Sequence, residues 1–354
     1  MRREWLVLFL LTGIFCVKPT QAQTADPLHL VQPVPLPGVE GRIDHLAVDL
    51  KGQRLFIAAL GNNTVEVVDL RAGKRTHTIQ GLHEPQGIAF VPEVNRLFIA
   101  NGQGVGCDVF DGSTFKSLLA VSLGDDSDNV RYDSGAKCIV VGYGSGALGW
   151  IEATTGKHLT DVSFKGHPES FQLESSGPRI FVNVPGESQI VVVDREKRAV
   201  TARWPVTGAQ ANFPMALDEA DHRLFVGCRN PARVLVYNTN SGKPVTSVEI
   251  AGDTDDLFYD AARKRLYASC GAGFISVLQQ HDADHYSALT RIPTAAGAHR
   301  TLCPATGSSV PRRPAPWRPE GGVTRLCRPA VTLPRPRGRG FLVPRQSLLS
   351  CLHR

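Results

Sequence analysis

Six times in this chain a basic residue opens a short apolar run. The runs are Arg54-Leu55-Phe56-Ile57, Arg96-Leu97-Phe98-Ile99, Lys137-Cys138-Ile139-Val140, Arg179-Ile180-Phe181-Val182, Arg223-Leu224-Phe225-Val226 and Arg265-Leu266-Tyr267-Ala268, at successive steps of 42, 41, 42, 44 and 42 residues. Each run is short, rich in β-branched and aromatic residues, and bounded by turn residues, which is a strand pattern rather than a helix pattern. A fixed period in the low forties built from such runs predicts an all-β chain, a β-propeller with one four-stranded blade per repeat.

The residues around each run support this. An acid closes an apolar stretch four to five residues upstream in five of the six repeats, as in Leu46-Ala47-Val48-Asp49 and Met215-Ala216-Leu217-Asp218. This stretch reads as the inner strand, with the acid starting a tight turn. Downstream, Asn62-Asn63 leads into Thr64-Val65-Glu66-Val67-Val68-Asp69, and Ser188-Gln189 into Ile190-Val191-Val192-Val193-Asp194. Gly-Lys turns follow at Gly73-Lys74, Gly156-Lys157 and Gly242-Lys243, then a more polar outer strand. On these residues the chain resembles the YVTN-type repeat of bacterial YncE-like propellers across about residues 28 to 300. The Trp-Asp and Gly-His marks of WD40 blades are absent. The resemblance implies a non-catalytic binding or interaction scaffold, with its ligand at the channel mouth.

The two ends differ from the repeats. Arg2-Arg3 precede an apolar stretch from Leu6 to Val17, too short to span a bilayer comfortably, and Thr20-Gln21-Ala22 offers small residues for cleavage. Residues 1–22 are therefore expected to be a signal peptide and the mature protein to be periplasmic or secreted, with no membrane span. Residues 301–354 contain ten Arg, no Lys, nine Pro and one acid. A seventh basic-apolar run is due near residue 307 and does not arrive. Leu30 to Gly38, ahead of the first inner strand, occupies the place of an outer strand that would complete a last blade in a closed ring. The expectation is thus a propeller over residues 23–300 of seven-bladed design. Its last blade is truncated or frameshifted, and the 301–354 tail is expected to be aberrant, either disordered or frameshifted.

The whole chain carries +6, but ten tail arginines and three basic residues in the signal stand against one acid each, which leaves the body at −5. The folded part is thus mildly acidic and offers no clear nucleic-acid surface. Cys107, Cys138, Cys228 and Cys270 of the body read as buried thiols, with one disulfide left open. Trp150 and Trp204 read as blade-packing residues.

Propellers bind ligands where the loops before the inner strands converge. Aligning the repeats places Asp44, His45, Gln86, Gly87, Asp128, Asn129, Glu169, Ser170, Phe213, Pro214, Asp255 and Asp256 there, with His299-Arg300 next in the series. His83, His167, Asp125, Asp126 and Asp253 fall slightly further out. The ligand-binding candidates are Asp44, His45, Asp128, Asn129, Glu169, Asp255 and Asp256. Carboxylates crowded at a narrow mouth repel one another, and a divalent cation would relieve that; His45, His167 and Asp256 are the metal-ligand candidates. The alternative is that these acids cap turns and are solvated in a wet channel. Ser170, His167 and Glu169 do not make a triad, because neighbours on one strand point to opposite faces. The partner expected is a protein or small polar ligand, bound by a monomer. Two further classes remain: a metal-dependent hydrolase or lactonase-like propeller, and a redox propeller resembling haem d1 or quinoprotein domains.

Overall fold

The computed structural model of the chain describes residues 32–297 together with Pro27, Leu28 and Leu30. The signal segment 1–22, the pair His299-Arg300 and the tail 301–354 lie outside the described residues. Within them the chain forms six four-stranded antiparallel sheets, each made from four consecutive strands. Blade 1 comprises Leu46–Asp49, Arg54–Ala59, Thr64–Asp69 and Lys74–Ile79. Blades 2 to 6 run from Pro85 to Ser122, Ser127 to Ser163, Phe171 to Pro205, Gln210 to Glu249 and Thr254 to Pro293. The first strands of consecutive blades touch one another and so line the axis.

The second strand of each blade is the basic-apolar run, and it is buried on both faces. Phe56, Phe98, Phe181 and Phe225 are fully buried. A blade lies between two neighbours, so this strand reads as a continuous apolar run even though the sheet is antiparallel. The fourth strand is an edge and alternates, as Ala199–Pro205 does between exposed and half-buried residues.

In blades 1, 4 and 5 the arginine that opens the run is an interblade clamp. Arg54 pairs with Asp49 at 2.7 Å and donates from Nη1 to the Gly112 carbonyl of blade 2 at 2.5 Å. Arg179 pairs with Glu174 and donates to the Thr239 carbonyl of blade 5. Arg223 donates to the Ala283 carbonyl of blade 6 at 3.0 Å and reaches Asp284. In blades 1 and 4 the acid upstream of the run thus serves twice, as a turn cap and as the anchor that aims the guanidinium. Asp49, for example, also accepts from the Gly52 amide at 2.8 Å. At the end of the third strand, Asp69, Asp111, Asp194 and Asn238 each accept two backbone amides of the following turn.

Five apolar cores join blade 1 to 2, 2 to 3, 3 to 4, 4 to 5 and 5 to 6. The remaining two clusters stay separate. One covers blade 6, where Leu28 packs on Tyr267, Ile275 and Val277; the other covers blade 1, where Val34 and Leu36 pack on Leu55, Ile57 and Val68.

Two expectations change here. The described residues form six blades, not seven, and blade 6 takes all four of its strands from 254–293. Residues 32–36, expected to be an outer strand, carry no strand pairing. Pro33, Pro35 and Pro37 explain this, because proline has no amide hydrogen to give to a ladder. The segment contributes by apolar packing instead.

Cys107, Cys138, Cys228 and Cys270 are free and buried, and burial pushes the Cys228 thiol up to about 12. Trp150 is fully buried beneath Arg198, and Trp204 packs between Phe181 and Tyr237. Among the described residues no helix is long and apolar enough to cross a membrane.

Candidate functional site

The residues at or just before the start of the inner strands of blades 1, 3 and 4 converge. In blade 1, Asp44 and His45 extend the pairing of the innermost strand: the Asp44 amide donates to the Ala58 carbonyl at 2.8 Å, and the Ala58 amide to the His45 carbonyl at 3.0 Å. This ladder holds both side chains at the mouth. Asp44 is fully buried, with Arg42 Nη2 at 2.7 Å from Oδ2 and His45 Nδ1 at 2.7 Å from Oδ1. His45 Nδ1 also lies 3.8 Å from Asp128 Oδ1 of blade 3.

Blade 2 stands between blades 1 and 3, and it presents Gly87 at this level. A Cβ on Gly87 would lie 2.0 Å from the Asp128 carbonyl oxygen. The missing side chain is what lets the blade 3 backbone come in so closely.

Asp128 is 6 % exposed and belongs to the strand Ser127–Asp133, whose pairing is irregular between Val141 and Tyr143. On its other side lies blade 4. Glu169 is fixed by its amide, which donates to the Asn183 carbonyl at 3.0 Å, and by its carbonyl, which accepts from Asn129 Nδ2 at 2.6 Å. His167 Nδ1 is 2.7 Å from the Gly144 carbonyl and 3.2 Å from Asp126 Oδ2. A ring nitrogen facing a carbonyl must carry the proton, so Nδ1 donates and Nε2 holds the lone pair.

Two groups of metal-type ligands result, and Asp128 belongs to both. Asp44, His45 and Asp128 place one ligand atom each within 4.8 Å of one another, and so do Asp128, His167 and Glu169. Each group mixes imidazole and carboxylate, a set suited to a transition metal more than to calcium or magnesium.

The structure thus brings together Asp44, His45, Asp128, His167 and Glu169, with Asn129 as a bracket between blades 3 and 4. Asp255 and Asp256 of blade 6 enter neither group. Arg229 of blade 5 pairs with Asp255 at 2.7 Å and with Asp253 at 3.4 Å, while stacking on Phe213 at 4.0 Å. Asp256 sits opposite Ser269 beyond a bulge. Ser170, whose hydroxyl is the nucleophile type of a triad, donates from Oγ to the Phe213 carbonyl and so serves the contact between blades 4 and 5. Sequence reasoning missed Arg42 as a partner of Asp44. It placed Gly87 at the mouth without its consequence, since the need for a bare backbone there appears only once blades 1 and 3 are seen flanking it.

No family model matches the chain, and no curated protein matches it by sequence. Solved structures match over most of its length. The Kuenenia stuttgartiensis hydrazine synthase structure is 16% identical with a TM-score of 0.62, covering 78% of this chain and 90% of that one. A chain of a mitotic checkpoint complex is 13% identical with a TM-score of 0.67, covering 83% and 90%. At such identities the likeness is one of fold: the described residues form six β-propeller blades, and it is that architecture the comparison detects.

Proposed function

We propose that this protein is an exported, non-catalytic propeller of the YncE-like kind that binds its ligand at the channel mouth around a divalent cation. The observation that carries the reading is the convergence of Asp44, His45 and Asp128, from two non-adjacent blades, with their ligand atoms within 4.8 Å. Two largely buried carboxylates with an imidazole between them favour a bound cation, which offsets their mutual repulsion. The propeller fold suits the role of a scaffold, since its loops converge on one mouth while the blades stay rigid.

The test is metal content. The full chain is stripped with chelator, incubated with Mn²⁺ or Zn²⁺, desalted and analysed by mass spectrometry of the metal. At least one tightly held ion per chain is expected. His45→Ala combined with Asp128→Ala should abolish retention, whereas Asp256→Ala should leave it unchanged. No retained ion in the parent chain would sink the reading. A panel of lactones and phosphoesters with the loaded protein separates a scaffold from a hydrolase: turnover lost in His45→Ala would favour the latter. Export is tested by the intact mass of the mature chain, which should begin at Gln23, and the monomer by sedimentation.

A further inference from the structure

The two ligand groups share one residue, and that sharing says more than either group alone. We infer that the mouth holds a dinuclear centre, two divalent transition-metal ions bridged by the Asp128 carboxylate. The inference rests on the cation reading above and deepens it. A carboxylate has two oxygens, so it can give one to each of two ions. The flanking ligands are matched in kind. On one side stand His45 and Asp44, on the other His167 and Glu169, an imidazole and a carboxylate each. Two-metal sites place their ions about 3.5–4 Å apart, the span one bridging carboxylate covers.

A second feature, separate from the grouping, points the same way. Metal-binding histidines characteristically donate the other ring N–H to a carbonyl or carboxylate, which fixes tautomer and orientation. His167 does this toward the Gly144 carbonyl at 2.7 Å, with Asp126 at 3.2 Å, so Nε2 is the ligand atom. His45 Nδ1 instead faces Asp44 Oδ1 itself at 2.7 Å, a contact that a cation held by both residues would replace. Blade 3 supplies the bridge and the Gly144 carbonyl, blades 1 and 4 the two arms.

Charge names the class of ligand. Asp44, Asp128 and Glu169, with Asp126 beside His167, bring four negative charges against five positive ones from two divalent ions and Arg42, so an anionic group completes the centre. The chemistry that fits is a small phosphate or carboxylate ligand bound across both ions. Arg42 is paired with Asp44 at 2.7 Å, but its side chain is 57% exposed. It can therefore turn outward toward such an anion when Asp44 takes a cation.

The experiment is a titration of the stripped full chain with Mn²⁺, followed by electron paramagnetic resonance and metal analysis. Two ions per chain and a spin-coupled signal are expected. His167→Gln, a change at the rim, and His45→Gln should each leave about one ion with an uncoupled six-line signal. Asp128→Asn should weaken both ions by roughly tenfold or more. Thermal denaturation of each variant shows whether the ring is intact, and His167→Gln carries the test if the buried variants unfold. One ion at saturation in the parent chain, with no coupling, overturns the dinuclear centre and leaves the single-cation reading standing. No ion overturns both. Two ions that survive His167→Gln unchanged also overturn it.

Discussion

The interfaces between consecutive blades and the seam where the N-terminal segment runs from blade 6 to blade 1 are built by different means. Between blades 4 and 5, Phe181 is fully buried against Trp204, and Arg179 reaches across to the Thr239 carbonyl. Each partner comes from a repeat, so the same sequence pattern writes the same interface again at the next step. At the seam, Leu28 lies on blade 6 while Val34 and Leu36 lie on blade 1. These residues belong to no repeat. A repeat architecture needs terminal units that differ from the rest, because each unit buries its apolar face only against a neighbour. Here a proline-rich segment serves in place of a pairing strand.

The comparison can be broken most strongly from the inside. Phe181→Ala should cost about 3–5 kcal/mol, since it opens a cavity in a core shared by two blades. Denaturant unfolding measures it, and a loss no greater than that of a seam substitution would show that the repeat interfaces are not the stronger kind. Next in size, Arg179→Met keeps the apolar stem over Phe181 but removes the donor to Thr239 and leaves Glu174 without its guanidinium. A loss of about 1–3 kcal/mol is expected from the same unfolding curve. Leu36→Ala at the seam, where the side chain is half-buried, should cost about 1 kcal/mol. If it cost as much as Phe181→Ala, the N-terminal segment would be as integral to the ring as a blade.

The smallest effect is one of pH. Backbone amides of the following turn, chiefly those of Ala72, Thr114 and Lys197, hold the carboxyls of Asp69, Asp111 and Asp194 below their ordinary value of 3.8. A depressed carboxyl contributes stability above the unfolded value and loses it as pH falls through the folded one. Thermal midpoints should therefore drop below about pH 4, within the repeats and not at the seam. Asn238 makes the same turn in blade 5 without titrating. Asp111→Asn should accordingly lessen the acid dependence, and an unchanged slope would assign it elsewhere.

Much of the fold is legible in the amino-acid sequence. The six runs mark the buried strand of each blade, and the acid-turn-arginine spacing predicts where the turns fall. The mouth ring follows from alignment of the repeats, and it includes Asp44, His45, Asp128 and Glu169. Two expectations go further than the fold supports. The Leu30 to Gly38 segment reads as a pairing outer strand, and three prolines prevent it. The same segment implies seven blades, and the described residues form six.

By itself, then, the sequence determined the period, the blade, the turn chemistry and the level at which polar side chains gather. These are local properties, set by alternation, apolar runs and turn residues within about forty positions of one another. Only the tertiary structure decided which of those side chains meet. His45 and Asp128 come from blades separated by a whole intervening repeat, yet they approach to 3.8 Å, and in that intervening repeat Gly87 presents no side chain against the Asp128 backbone. Asp255 lies at the same level yet is taken up by Arg229. Contacts across the axis depend on how the blades curve into a ring, and no spacing along the chain encodes that curvature.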